Sequence, residues 1–194
     1  FAAILNAESR DTVWLDPYRP PASMHYSGAI AFGGDAENAE TLIREAIADI
    51  SPGFGFGALA AGADILVAEA LLARGTELHI VLPCPVAAFH AASVDPFGED
   101  WATRFDQIVA NATSLSIVTQ ETELSAAAVA LADEIAIGMA LSHSRLLESQ
   151  TAALRIVAGD RNEANNRWGQ SEHKFSSVTL PAAAPQIAYA LPDG

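Results

Sequence analysis

The chain has 194 residues, of which 51% are hydrophobic and 18% are charged, and its formal net charge is −14. This length and apolar content predict one domain with a substantial core. The negative charge and the lack of any basic run in the sequence argue against nucleic-acid and anionic-membrane binding, since phosphates would be repelled. The apolar stretches are short and interrupted, so we expect no membrane span.

The ends and the cysteine content bear on the cellular setting. The first residue is Phe1, and no basic-then-apolar leader follows it, which indicates a fragment or trimmed chain and not a secretory precursor. The single cysteine, Cys84, cannot form an internal disulfide, and the His and Cys residues show no metal-ligand spacing. We therefore expect a cytoplasmic location, no metal and no cofactor.

The first half of the chain predicts two strand–helix units. Residues 1–26 contain several prolines and are expected to be an irregular segment packed on a single domain formed by residues 27–194. Apolar runs and helical spacing then mark the elements, and glycine or proline ends most of them. They are a strand over 27–32, a helix over 36–50, a strand over 54–59 and a helix over 65–74.

The second half continues the same alternation. Its elements are a strand over 78–82, a helix over 101–112, a strand over 115–119, a helix over 125–148 and a strand over 153–158. Strands that alternate with helices and are mostly apolar on both faces predict a parallel sheet covered on both sides. The expected fold is therefore a Rossmann-like, doubly wound α/β domain with five strands. The polar segment 159–175 is either a mobile loop or a place where residues are missing.

Ligands of such sheets bind beyond the carboxyl ends of the strands. Four strand tips qualify: Gly33-Gly34, the turn 57–64, Pro83-Cys84-Pro85 and Thr119-Gln120-Glu121. The turn 57–64 is the most informative, because its small residues leave room for a ligand and the next helix begins there, offering N–H groups to an anion or a hydroxyl. Asp64 either caps that helix or also contacts the ligand. Gly62→Leu should block the ligand in a folded domain, unless Gly62 has a positive φ.

Glu69 interrupts a helix that is apolar nearly all round. Because an unpaired buried carboxylate is costly, we expect Glu69 to be mostly buried with a hydrogen-bond donor in reach. It either has a structural partner, such as a backbone N–H or Arg104, or faces the pocket, and the structural role is favoured. Arg104 is the only cation in a wide stretch, and it is the candidate partner for an anion or a carboxylate.

The remaining reactive residues give weaker signals. His79 is interpreted as a core or edge histidine, and His90 and His143 have no Ser or Cys partner at a GxSxG elbow. Cys84 is either a reactive thiol or, as favoured here, a buried structural residue. The sequence also lacks a full GxGxxG fingerprint and a P-loop.

The run FGFGALAAGADILVAEALLARGTELHIVLPCP, with Phe89, Ser93-Val94 and W-x-x-R-F at 101–105, resembles the SLOG superfamily. These are Rossmann-like domains related to DprA and to the LOG phosphoribohydrolases, and the resemblance covers most of residues 24–160. It implies a bacterial domain of multidomain signalling proteins that binds a nucleotide or a nucleotide-derived ligand. The ligand-binding residues that it implies are Ser27, Gly28, Gly57, Ala58, Gly62, Ala63, Asp64, Glu69, Pro83 and Thr119.

The P-G-G-x-G-T-x-x-E motif of the LOG enzymes is absent from the chain, and GGDAE at 33–37 is not its equivalent. The first hypothesis is therefore a non-catalytic sensor that regulates an attached or partner effector, such as a cyclase. The second is a nucleoside or nucleotide N-glycosidase, in which Asp64 or Glu69 assists the departing base or the attacking water. A third is a degenerate domain kept as an interaction scaffold. Homo-oligomerisation is left open.

Overall fold

The computed structural model describes residues 18–159 and 174–182. These residues form a six-stranded, all-parallel sheet in the order β4-β3-β2-β1-β5-β6. The strands are β1 (Ala22–Gly28), β2 (Pro52–Gly57), β3 (Glu77–Leu82), β4 (Ser114–Ile117), β5 (Thr151–Ala158) and β6 (Lys174–Leu180). The predicted Rossmann-like α/β fold is confirmed, with one strand more than expected.

Five helices cover the two faces of this sheet. They are α1 (Ala36–Ile50), α2 (Ala63–Ala73), α3 (Val86–Ser93), α4 (Glu99–Asn111) and α5 (Ala126–Leu147). From β1 to β4 each strand is added on the same side of the last, so right-handed crossovers place α1 to α4 on one face. The chain then returns across the sheet to β5, which places α5 on the other face, over β1, β2 and β3.

Helix α5 lies against the sheet through a stripe of small residues spaced four apart. They are Ala128, Ala132, Ala136, Ala140 and Ser144, and all are buried. Small side chains allow the helix backbone to approach the strands closely. By length and composition alone, α5 is also apolar enough to cross a membrane, and no other helix of the described ranges is. No membrane span is expected from the sequence, because its apolar stretches are short and interrupted; averaged over its length, α5 nevertheless passes this test.

Strand β1 begins earlier than predicted. Residues 22–26, which the sequence analysis placed in the irregular segment, belong to the strand, whereas residues 29–32 follow it without regular structure. The cause is that β1 alternates polar and apolar residues: Met24 and Tyr26 pack into the core under α1 and α2, while Ser23 and His25 are buried facing α5. Ser23 and His25 have hydrogen-bond partners on α5, so these polar residues can be buried in the strand. The strand therefore lacks the continuous apolar run that was used to predict strands.

Strand β6 was not predicted either. It pairs with β5 from Ala152↔Lys174 to Ala158↔Leu180. Its first residues belong to the polar segment 159–175, which has no apolar pattern that would predict a strand. Residues 1–17, 160–173 and 183–194 lie outside the described residues. The predictions for most of the N-terminal segment and for most of the loop 159–175 therefore concern residues that the structure does not describe.

Candidate functional site

A cavity of about 850 Å³ opens where the strand order reverses, between β1 and β5. The loop after β1, the residues after β2 and β3, strand β5 and the first half of α5 form its walls. Ile30 and Val129 line it while remaining 40% and 45% exposed, which gives it an apolar mouth. The position agrees with the strand-tip rule, and the volume is in the range of small-molecule sites.

Half of the ligand-binding residues implied by the SLOG resemblance line this cavity. They are Ser27, Gly28, Ala58, Asp64 and Pro83. Thr119 lies beside the cavity without lining it, and its hydroxyl donates a hydrogen bond to the Pro83 carbonyl oxygen at 3.1 Å. Gly57, Gly62 and Ala63 are buried behind the cavity wall. The predicted turn therefore contributes to the cavity mainly through Ala58, Ala60 and Asp64.

Gly62 serves close packing. Its φ is +83°, and a Cβ atom added to it would lie 2.2 Å from the Ile30 carbonyl oxygen. The next residue, Ala63, donates its N–H to the Ala29 carbonyl oxygen at 3.1 Å. Gly62 therefore meets the exception stated for Gly62→Leu: its φ is positive and no side chain fits there, so this variant is not expected to leave the domain folded. The first N–H of α2 is also occupied, so this helix end is less open to an anion than the sequence suggested.

Asp64 is the second residue of α2, and the N-cap position belongs to Gly62. Asp64 is therefore not a helix cap. It is only 6% exposed, and its Oδ2 atom accepts a hydrogen bond from the Ala60 N–H at 3.2 Å. Its Oδ1 atom is buried and has no hydrogen-bond partner among the described residues. A buried carboxylate oxygen that lines a cavity without a partner is the least satisfied charged atom of the site.

The surroundings of Asp64 favour its neutral form. Burial raises the pKa of Asp64 to about 7, and the charge of Asp133 acts in the same direction, while the neighbouring N–H groups of Ala60 and Gly28 oppose it. The Tyr26 hydroxyl is also buried without a partner among the described residues. Burial, and then the charge of Asp64, raise the pKa of Tyr26 well above its ordinary value. Asp64 in the cavity wall and Tyr26 in the core behind it are thus two neighbouring polar groups whose hydrogen bonds are incomplete.

On the opposite wall, His25 and Asp133 form a pair that sequence reasoning missed. The His25 Nε2 atom lies 2.9 Å from Asp133 Oδ1, and the two side chains are 4% and 38% exposed. Both residues line the cavity. His25 was hidden in the segment predicted to be irregular. Asp133 gave the same signal as Glu69, an acidic residue in an apolar helix, and that argument would have found it.

Further residues of the lining were also not singled out. Ser93 and Phe89 come from α3, and Arg155 comes from β5. Ser93 and Phe89 belong to the motifs that carry the SLOG resemblance, but no signal in the sequence assigned them to a pocket. Arg155 adds a positive charge to a cavity lining that also contains the carboxyl groups of Asp64 and Asp133.

Glu69 and Arg104 lie together, outside the cavity. Arg104 Nε donates to Glu69 Oε1 at 2.7 Å, and its Nη2 atom donates to Glu69 Oε2. Arg104 Nη2 is also 3.7 Å from Glu40 Oε1, and the guanidinium lies 4.6 Å from the centre of the Trp101 ring. The expected donor is thus present, but Glu69 is 35% exposed and not mostly buried. The bidentate pair links α2 to α4, and the contact between Arg104 and Glu40 links α1 to the same cluster.

The other histidines and the cysteine have structural surroundings. His79 Nδ1 is 2.8 Å from Ser114 Oγ, and its ring stacks on Phe56. His90 contacts Asp95. His143 Nδ1 is 3.0 Å from Ser23 Oγ, near the amino end of β1 and away from the cavity. Cys84 is fully buried. The described part of the chain contains no cluster of three or more His, Cys, Asp or Glu residues that could hold a metal ion.

Comparison with protein-family models finds no match, and comparison with curated proteins finds no significant one. The resemblance to the SLOG superfamily therefore stays a prediction that depends on the sequence motifs. The fold and the cavity are the features on which a functional proposal can be based.

Proposed function

We propose that the chain is a ligand-binding domain that senses a nucleotide or a nucleotide-derived small molecule and regulates an attached or partner effector, such as a cyclase. The expected setting is the cytoplasm of a bacterium. The observation that carries the proposal is the 850 Å³ cavity at the reversal of strand order, with the buried carboxylate of Asp64 in its wall. Open parallel sheets bind their ligands at this position.

The lining of the cavity is suited to a ligand with apolar and polar parts. Most of its residues are aliphatic, and a few polar groups are placed among them, as is typical of small-molecule sites. The polar and charged side chains are those of His25, Ser27, Asp64, Ser93, Asp133 and Arg155. A flat base would pack on the apolar mouth formed by Ile30 and Val129. Sugar hydroxyls and amino groups would donate to the carboxylates, and Arg155 would attract an acidic group.

A second candidate function, nucleoside or nucleotide N-glycosidase, is favoured by one observation. Asp64 lines the cavity and has a pKa of about 7, which is the range of a general acid or base at neutral pH. Glu69, the other carboxylate considered, is outside the cavity. Against this candidate stands the absence of the LOG motif from the sequence. Incubation with nucleosides, nucleoside monophosphates and dinucleotides, followed by chromatography, distinguishes the two: a sensor releases no free base.

Binding is tested with a matched pair of variants on α5. Ala130 lines the cavity, whereas Ala127 lies on the same helix outside it, and both are exposed. Ala130→Trp should fill the cavity without disturbing the core, and Ala127→Trp should only add a surface side chain. Calorimetry with adenosine, AMP and NAD should detect binding to the wild type and to Ala127→Trp, with at least a tenfold loss for Ala130→Trp. Equal affinities for all three proteins would place the site elsewhere.

A further inference from the structure

The buried end of the cavity contains a carboxylate oxygen whose hydrogen bonding is incomplete. Asp64 Oδ2 accepts a hydrogen bond from the Ala60 N–H, whereas Oδ1 is buried and forms no hydrogen bond of regular geometry within the described residues. The Gly28 N–H lies close enough to the carboxylate to favour its charged form but does not complete its hydrogen bonding. A buried polar atom is ordinarily hydrogen-bonded, and a carboxylate that lacks this bond is costly to keep. The unsatisfied position is therefore suited to a donor that the ligand brings.

The charges around Asp64 select which ligand group can lie there. Asp133 shares the cavity, and its charge raises the pKa of Asp64, so a further negative group beside Asp64 is disfavoured. The first N–H of the neighbouring helix is occupied by the Ala29 carbonyl oxygen. A phosphate would meet two carboxylates and few open N–H groups. A hydroxyl or amino group would instead find an acceptor.

We propose that Asp64 is the specificity-determining residue of this site and accepts a hydrogen bond from a hydroxyl or amino group of the ligand. The buried end of the cavity then holds the unphosphorylated part of the ligand, and any phosphate lies toward Arg155. This inference rests on the proposed function. It goes further by naming the group recognised and the orientation of the ligand.

Probes that lack one donor at a time test the inference. Adenosine is compared with 2′-deoxyadenosine, 3′-deoxyadenosine and purine riboside, which lack the 2′-hydroxyl, the 3′-hydroxyl and the 6-amino group respectively. Each is titrated calorimetrically into the wild type, Asp64→Asn and Glu69→Gln. Glu69→Gln is the control, because it also replaces a carboxylate by an amide on α2 but lies outside the cavity.

One of the three probes that lack a donor should bind the wild type and Glu69→Gln at least tenfold more weakly than adenosine does. The same probe should bind Asp64→Asn less than threefold more weakly than adenosine does. This coupling identifies the donor that reaches Asp64 and separates a hydroxyl from an amino group. If every deletion has the same effect in all three proteins, the inference is overturned while the proposed function stands. If no probe binds the wild type, the proposed function fails, and the inference fails with it.

AMP tests the orientation. With the phosphate toward Arg155, Asp64→Asn should change the affinities for AMP and adenosine by similar factors. A gain of tenfold or more that is confined to AMP would place the phosphate at Asp64 and overturn the inference. If Asp64→Asn does not fold, ¹³C NMR of the wild-type aspartate carboxyls replaces it, and the Asp64 signal is identified by its titration midpoint near pH 7. Adenosine should shift this signal more than one of the three probes that lack a donor does. Equal shifts for adenosine and all three probes would overturn the inference.

Discussion

Helix α2 carries two carboxylates five residues apart, Asp64 and Glu69, whose surroundings differ in every respect. Glu69 is 35% exposed and forms a bidentate ion pair with Arg104. Asp64 is 6% exposed and leaves one carboxylate oxygen without a partner in the described structure. The paired carboxylate thus lies at the surface, where pairing is needed least, and the incompletely paired one is buried against a cavity.

The difference separates two uses of charge. Glu69 links α2 to α4 through its ion pair with Arg104, and this structural role accounts for a carboxylate in an apolar helix. Asp64 reduces the stability of the fold, because its Oδ1 atom is buried without a hydrogen-bond partner among the described residues. Perturbed and unsatisfied ionisable groups cluster at functional sites. The comparison therefore assigns Glu69 to structure and supports the proposal that Asp64 contacts the ligand.

The largest expected effect is the pH dependence that Asp64 gives to stability. Burial raises its pKa from the ordinary 3.8 to about 7 in the folded protein, so the folded state binds the proton more tightly. The stabilisation is complete below pH 4 and is lost as pH rises to 7, by about 4 kcal/mol for the full shift. Urea unfolding from pH 5 to 8 should show about 3 kcal/mol of this decline in the wild type and in Glu69→Gln.

Asp64→Asn removes the titrating group and should lack this part of the decline. It should be more stable than the wild type at pH 8, because an amide is less costly to bury than a carboxylate. Parallel stability curves for the wild type and Asp64→Asn would show that Asp64 is not a buried, unpaired carboxyl.

The turn before Asp64 should tolerate no side chain. In Gly62→Ala the new Cβ atom meets the Ile30 carbonyl oxygen at 2.2 Å in a residue with φ of +83°. The free energy of unfolding should fall by about 3 kcal/mol or more, from strain and overpacking together. Gly138→Ala is the control: it lies in α5 with no described atom within 4 Å of the new Cβ. The free energy of unfolding of Gly138→Ala should rise by up to about 1 kcal/mol, because alanine favours the helix more than glycine does. Similar results for the two would contradict the close packing of this turn.

The ion pair of Glu69 should give a smaller effect. Glu69→Gln should cost about 1 kcal/mol, because the pair is partly screened by water. Arg104→Ala should cost somewhat more, about 1–2 kcal/mol, since it also loses Glu40 and the stacking on Trp101. Chemical denaturation measures both, and neither should change the affinity for adenosine. A loss of binding in Glu69→Gln at unchanged stability would break the distinction between the two carboxylates.

Much of the fold could be predicted from local patterns. Helix α1 has the predicted bounds 36–50, because an aspartate caps it and Ser51 ends it in the left-handed conformation. Strand β1 was misplaced because its polar residues are satisfied by α5, which lies more than a hundred residues later in the chain. Such tertiary partners are invisible in a window of sequence.

The site was predictable to a similar extent. The strand-tip rule found the turn that holds Ala58 and Asp64, since it needs only the order of strands and helices. His25 and Asp133 are 108 positions apart, and the return of the chain from β4 to β5 brings them together. Glu69 was correctly expected to have Arg104 as a possible partner, but its burial was overestimated. Glu69 lies on a face of α2 where its side chain contacts Arg104 and remains partly exposed.

The most direct test of the account is the ionisation of Asp64 itself, followed by ¹³C NMR of aspartate carboxyl groups during a pH titration without ligand. The Asp64 signal is assigned by its loss in Asp64→Asn. The account predicts a midpoint near pH 7, well above that of ordinary aspartates. Saturating adenosine should lower the midpoint, because a hydrogen bond donated to the carboxylate favours its charged form. A midpoint near pH 4 that adenosine leaves unchanged would contradict the claim that Asp64 is kept buried and incompletely paired for a ligand.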